Sequence, residues 1–113
     1  MNWIALTKPE QIEELKKESR ENPVIVFKHS TACSISATAK NRVERQWAEA
    51  GLQDVKPYYL DLLSFRSLSN RIAEQFAVTH QSPQLLVIQD EACVYNASHL
   101  SINLSEVKRK LAA

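Results

Sequence analysis

The chain has 113 residues, enough for one domain around one hydrophobic core and too few for two. Hydrophobic residues make up 44% and charged residues 24%, the balance of a globular protein, and fourteen basic against thirteen acidic side chains leave a formal charge of +1. That near-neutrality excludes the electrostatic footprint required for nucleic acid or an anionic membrane surface. A single glycine, Gly51, excludes phosphate-cradling Gly-rich loops and dinucleotide fingerprints.

Residues 3–6 read as a short first strand. Thr7-Lys8-Pro9-Glu10 has the form of a capping box, with Thr7 as cap, Glu10 three residues on and Pro9 tolerated in the first turn. The helix it opens runs to about Arg20 and carries Ile12 and Leu15 on one stripe. Asn22-Pro23 breaks the chain, and Val24-Ile25-Val26-Phe27 follows. A β-branched run without alternation is expected of a strand covered on both faces. From Cys33 onward Ala39, Val43, Trp47 and Ala50 fall at helical steps, and Gly51 suits the end of that helix. Residues 55–62 (VKPYYLDL) read as a strand, with Pro57 near its start. Phe65, Leu68, Ile72 and Phe76 then give a third helix. After the loop THQSP comes LLVI, residues 85–88, another buried-type strand, and Asp90-Glu91 turns the chain into ACVY. Residues 103–106 (NLSE) cap a last helix through Val107 and Leu111.

The order β-α-β-α-β-α-β-β-α predicts an α/β fold over residues 1–113 as a single domain. Parallel, right-handed βαβ units are followed by an antiparallel hairpin, giving a central mixed sheet of about five strands with helices on both faces. The all-apolar second strand belongs in the middle. The N-terminus, MNWIALTKPEQ, has neither the length nor the basic lead-in of a signal peptide, and no run reaches the roughly 20 apolar residues of a membrane span. A cytoplasmic protein is the expectation. Two cysteines in such a compartment point to catalysis or metal binding before a structural disulfide, and Cys33 and Cys93 lack the partner pairs of a zinc site, so no metal is expected.

The chemistry centres on HSTACSIS, residues 29–36. Cys33 stands where a central strand gives way to a helix, at the strand end where open α/β sheets bind ligands. Free N–H groups of the first helical turn and the helix dipole favour a thiolate there, lowering a thiol pKa from about 8.5 into the range of roughly 3.5 to 7.5. Were it to fall to about 6.5, the thiolate fraction at pH 7 would rise roughly 25-fold. Lower basicity reduces nucleophilicity about six- to tenfold, leaving a net gain near threefold; the larger benefit is as leaving group. Ser36 returns to the same side one turn on, where its hydroxyl can donate to the thiolate but cannot form a disulfide. Cys33 therefore has no local resolving thiol.

The residues Phe27-Lys28-His29-Ser30-Thr31-Ala32-Cys33, followed by Ile35-Ser36-Ala37, carry a resemblance. The chain resembles thioredoxin-fold proteins and, more closely, the monothiol bacilliredoxin family, small cytosolic proteins of low-GC Gram-positive bacteria. That family's hallmark is Cys-Pro-Ile-Ser, and here Ser34 stands in place of its proline. The resemblance implies a thioredoxin-like fold and removal of bacillithiol from protein mixed disulfides. Cys33 and Ser36 would be catalytic, bacillithiol a co-substrate with no bound cofactor, and bacillithiolated proteins the partners. It also implies a cis-proline beside the nucleophile, at Pro83 after Ser82, where the Ser82 backbone would hold an extended substrate segment as a short added strand. Ser34, His29 and Ala32 complete the expected substrate contacts.

Blander readings stand beside these. His29 is placed to lend charge or shuttle a proton, or is a solvated histidine at a strand end. Lys28 and Lys40 add a screened attraction or are solvated surface. Thr79 and His80 line the groove or are loop polarity, and Cys93 is expected to be a small core residue in an edge strand remote from Cys33. Trp47 and the Phe65 to Phe76 stripe are expected in the core. Two other functions fit a Cys-x-x-Ser site: a glutaredoxin-like protein using glutathione or holding an iron–sulfur cluster between subunits, and a thioredoxin-fold interaction module that turns nothing over.

Overall fold

The computed structural model describes residues 1–47, 49–52 and 54–112. In chain order the elements are β1 (Ile4–Ala5), α1 (Glu10–Glu18), β2 (Val24–His29), α2 (Ser34–Gln46), β3 (Lys56–Asp61), α3 (Arg66–Gln75), β4 (Gln84–Gln89), β5 (Ala92–Ser98), a 3₁₀ turn (His99–Ser101) and α4 (Leu104–Ala112). This is the order the sequence predicts. Among the described residues no helix is long and apolar enough to cross a membrane.

The five strands form one sheet in the order β1-β3-β2-β4-β5. β2 is central because its side chains can be buried on both faces, and all six of its residues are buried. It pairs parallel with β3, from Val24↔Lys56 to His29↔Asp61, and antiparallel with β4, from Val24↔Ile88 to Lys28↔Gln84. β1 pairs with β3 only at Tyr58 and Tyr59, so Pro57, which has no N–H to give, lies just outside that ladder. β5 is the far edge.

Strand alternation splits the core in two. Val24, Val26, Leu60, Leu86 and Ile88 pack with Ile12 and Leu15 of α1 and Leu68 and Ile72 of α3. Ile25, Phe27, Leu85 and Val87 pack on the other face with Ala39 and Val43 of α2 and Leu104 and Val107 of α4. Burying each such side chain stabilises the fold by about 1.5–3 kcal/mol. The Phe65 to Phe76 stripe joins the first cluster, and Trp47 packs against the second.

Some local expectations are corrected. The start of α1 is tied by Gln11 rather than Glu10: its Oε1 accepts the N–H groups of Thr7 at 2.7 Å and Lys8 at 3.0 Å, while Nε2 reaches the Ala5 carbonyl. α2 ends at Gln46, and Gly51, with φ +68°, closes a looser turn beyond it. Asn103 does cap α4, its Oδ1 accepting the Ser105 N–H at 2.9 Å. Lys28 is not solvated surface. Two residues on from Val26, it turns to the α3 face and is fully buried.

Candidate functional site

β2, β3 and their following helices bring two loops together at one end of the sheet. The Leu62 N–H donates to the His29 carbonyl at 2.9 Å, seating the loop after β3 beside the loop before α2. Ser30, Thr31 and Ala32 form a tight turn in which the Cys33 N–H bonds the Ser30 carbonyl at 3.2 Å. Cys33 is the N-cap residue of α2, extended at φ −115° and ψ 121°, and its carbonyl accepts the Ala37 N–H at 3.1 Å. A cap position ordinarily carries a side-chain oxygen that satisfies the first-turn amides. Here the residue is a cysteine, no side chain caps the helix, and no carboxylate stands in the first turn to compete for its positive end.

Cys33 is partly exposed, and Ala32, Ser34 and Ile35 around it are exposed. Among the described residues Cys33 Sγ has no hydrogen-bond partner. Ser36 differs from expectation. Its side chain is fully buried and its Oγ is turned inward, accepting the Ser30 N–H at 3.0 Å and lying 2.6 Å from His29 Nδ1. The hydroxyl that was expected to donate to the thiolate instead ties the end of β2 to the first turn of α2.

His29 is likewise an interior group. Its ring packs between Phe27 and Tyr59, with centroids 6.2 and 5.7 Å away. Burial, then the positive charge of Lys40, pushes its pKa below the ordinary histidine value, although Asp61 opposes this. His29 is thus neutral at pH 7 and enclosed, which corrects the expectation that it lends charge to the sulfur or touches substrate. Lys40 is occupied elsewhere, bonded to Glu44 at 3.0 Å and lying over the Tyr59 ring.

On the antiparallel side of β2, the loop before β4 arrives opposite Lys28 and His29. The Ser82–Pro83 peptide bond is cis, as the resemblance implies. Pro83 is buried, its carbonyl accepting the His99 N–H at 3.0 Å, and Ser82 is half-buried. Gln84 pins the loop: its Nε2 donates to the Thr79 carbonyl at 3.1 Å and its Oε1 accepts the Gln81 N–H at 3.3 Å.

Beneath this loop lies a cluster that was not anticipated. Lys28 Nζ reaches the Ser69 carbonyl at 3.2 Å and His80 Nδ1 at 3.3 Å. Burial pushes the Lys28 amine down to about 8. The signal was present in the strand pattern, where position 28 shares a face with Val24 and Val26. Cys93, by contrast, sits on edge strand β5 with its S–H toward the Tyr95 carbonyl at 3.3 Å, and burial pushes its thiol up. Ile35, in the first turn of α2, and Leu63, in the loop after β3, are exposed apolar side chains beside the site.

A family model described as monothiol bacilliredoxin BrxC matches residues 4–107. Among solved structures, one described as having a thioredoxin fold is 33% identical, covering 96% of this chain and 92% of its own, with a TM-score of 0.82. Thioredoxin from Fasciola hepatica is 18% identical, with coverages of 96% and 95% and a TM-score of 0.70. Oxidised thioredoxin from Plasmodium falciparum is 14% identical, with coverages of 99% and 100% and a TM-score of 0.71. The last two speak to fold alone, and with the first they establish a thioredoxin fold for this chain.

Proposed function

The chain belongs to the monothiol bacilliredoxin family, and from that premise we propose that it removes bacillithiol from protein mixed disulfides, with Cys33 as the nucleophile. The Cys33 thiolate attacks the bacillithiol sulfur of the mixed disulfide. The protein–bacillithiol S–S bond breaks, the protein sulfur leaves as a thiolate and takes a proton from water, and a Cys33–bacillithiol disulfide forms. A second low-molecular-weight thiolate then attacks the bacillithiol sulfur of that adduct, forming a new disulfide and releasing Cys33 as a thiolate. No net oxidant is consumed in the first step, because one disulfide is exchanged for another.

The observation that carries this reading is a partly exposed cysteine at the cap of α2 followed, one turn on, by a serine whose hydroxyl is buried. With no sulfur at that position, the adduct on Cys33 waits for a thiol from solution. Ser82, before the cis bond to Pro83 and held opposite the end of β2, offers its main-chain groups to a substrate segment, and Ser34 and Ala32 border the sulfur. The exposed Ile35 and Leu63 favour a protein substrate over a free disulfide.

The test is a bacillithiolated client incubated with wild type and with Cys33→Ala. Wild type is expected to free the client thiol and to gain the mass of one bacillithiol on Cys33, and Cys33→Ala to be slower by at least about 100-fold. Equal rates, or an adduct that never reaches Cys33, would return the chain to the role of an interaction module.

A further inference from the structure

Lys28 is a buried cation, and among the described residues no carboxylate pairs with it. Its ammonium has protons to give and no lone pair with which to accept, so both its partners, the Ser69 carbonyl and His80 Nδ1, must be acceptors. For a neutral imidazole, an accepting Nδ1 places the proton on Nε2. Ser69 Oγ also lies 3.3 Å from the same Nδ1 and shares its single lone pair with Lys28. Protonating the ring would set two positive groups in contact, with Arg66 at the start of α3 as a third. β4, QLLVIQ, brings no titratable group that would offset them. Gln84 holds the backbone on either side of the ring, at Thr79 and Gln81. His80 is half-buried, and no described residue bonds its Nε2.

We propose that Lys28 is a positioning residue: it locks His80 as the neutral Nε2–H tautomer, so that the free edge of the ring donates a hydrogen bond to an oxygen of the mixed disulfide lying along Ser82-Pro83. The substrate half of this inference rests on the function proposed above. The tautomer half does not. A buried charge without a counterion is costly to keep, and fixing a donor at the substrate loop is what it accomplishes here.

Side-chain 15N NMR of the wild-type protein tests the lock directly. His80 is expected to show an unprotonated Nδ1 and a protonated Nε2 throughout the neutral range, titrating below ordinary histidines. In Lys28→Met, a substitution close in length, the two tautomers should mix and the titration should move up toward the ordinary value. In turnover, His80→Leu should raise KM for the mixed disulfide about tenfold, the worth of one hydrogen bond. His80→Gln, whose amide puts a donor at the Nε2 position, should restore KM to within about threefold. A KM effect on a bacillithiolated protein alone places the accepting oxygen on the protein, and an equal effect on a small bacillithiol disulfide places it on the thiol; both support the proposal. A proton on Nδ1 in wild type, an unmoved titration in Lys28→Met, or an unchanged KM in His80→Leu overturns it. Should wild type itself be inert toward every bacillithiol disulfide while the tautomer is as stated, the proposed function fails and the substrate contact with it, and Lys28 remains only the lock on the ring.

Discussion

Ser36 occupies the place from which a second thiol would resolve an adduct, and its hydroxyl is spent on structure. It satisfies the half-buried Ser30 N–H and faces His29 Nδ1. Ser36→Ala leaves both without that partner, which costs about 1–3 kcal/mol at the buried His29 and less at the half-buried Ser30 N–H. Urea unfolding should therefore show Ser36→Ala as clearly less stable than wild type, and Cys33→Ala, which removes a partly exposed atom with no bond, as nearly unchanged. The inverse pattern in activity is expected, with Cys33→Ala inactive and Ser36→Ala reduced. A Ser36→Ala protein as stable as wild type would show that the inward hydrogen bonds carry no weight.

Lys28 makes stability depend on pH on the alkaline side. Its amine titrates near 8 in the folded chain against an ordinary value of 10.5. Below about pH 8 both folded and unfolded chains hold the proton, and the buried charge exerts its full cost. Between about 8 and 10.5 the folded chain sheds a proton that the unfolded chain keeps, so stability rises with pH across that window. Lys28→Met should abolish the rise and gain up to about 3 kcal/mol at neutral pH. His29 and His80, both pushed below the ordinary range by burial first, act in the acid direction. Their contribution is present above about pH 6.5 and is lost as pH falls and the unfolded chain takes up protons. Urea midpoints of wild type and Lys28→Met at pH 7 and pH 9.5 separate the lysine from the histidines.

At the scale of elements, a chain with one glycine must turn without it. Ala77, Asp90, Glu91 and His99 all take positive φ, between 52° and 65°, a region that costs a side-chain-bearing residue about 1–2 kcal/mol. Neighbours hold them there. Ala77 follows α3, where the Val78 N–H bonds the Ala73 carbonyl at 3.0 Å. Asp90 and Glu91 turn β4 into β5 with both N–H groups tied to Ser19, on its carbonyl and its Oγ, and with an Arg20–Glu91 ion pair. Ala77→Gly should relieve the strain and, after the entropy glycine loses on folding, raise stability by about 0.5–1 kcal/mol in denaturant. A loss instead would mean that the Ala77 methyl packs more strongly than its backbone is strained.

These turns also mark what was legible in the sequence. Element order and type followed from hydrophobic period, because β2 and β4 are buried on both faces and the helices are not. The strand-to-helix setting of Cys33 followed from the same period. What a window of sequence does not carry is which side-chain oxygen reaches a helix start, hence Gln11 in place of Glu10. Nor does it show which partner a polar residue meets once it is inside a strand. Lys28 and His29 are adjacent and lie on opposite faces, so one reaches α3 and the other α2. Ser36 was expected to serve the sulfur because spacing gives the side of a helix, whereas its partner is set by the backbone of the preceding loop.

Across the whole molecule the two cysteines are kept apart by the sheet. Cys93 pairs in register with Ile88, and Ile88 with Val24, while Cys33 lies beyond His29 at the opposite end of β2. Five residues of strand span about 16 Å and two ladder spacings about 10 Å, so the Cα atoms of His29 and Cys93 are roughly 19 Å apart, and Cys33 follows His29 at that far end. A disulfide needs about 4.4–6.8 Å. No rearrangement short of unfolding the β4–β5 hairpin would join them, and Cys93 packs against the α1–α3 core with its thiol pushed up by burial. Mild oxidation of the folded protein should therefore give mixed disulfides on Cys33 and intermolecular Cys33 dimers, and no species lighter than the reduced chain by two hydrogens. Alkylation followed by peptide mass spectrometry should find Cys33 labelled well before Cys93, and Cys93→Ser should keep most of the wild-type rate. An internal disulfide in the native state, or a Cys93→Ser protein that carries the adduct on Cys33 and cannot discharge it, would show that the edge strand opens during turnover.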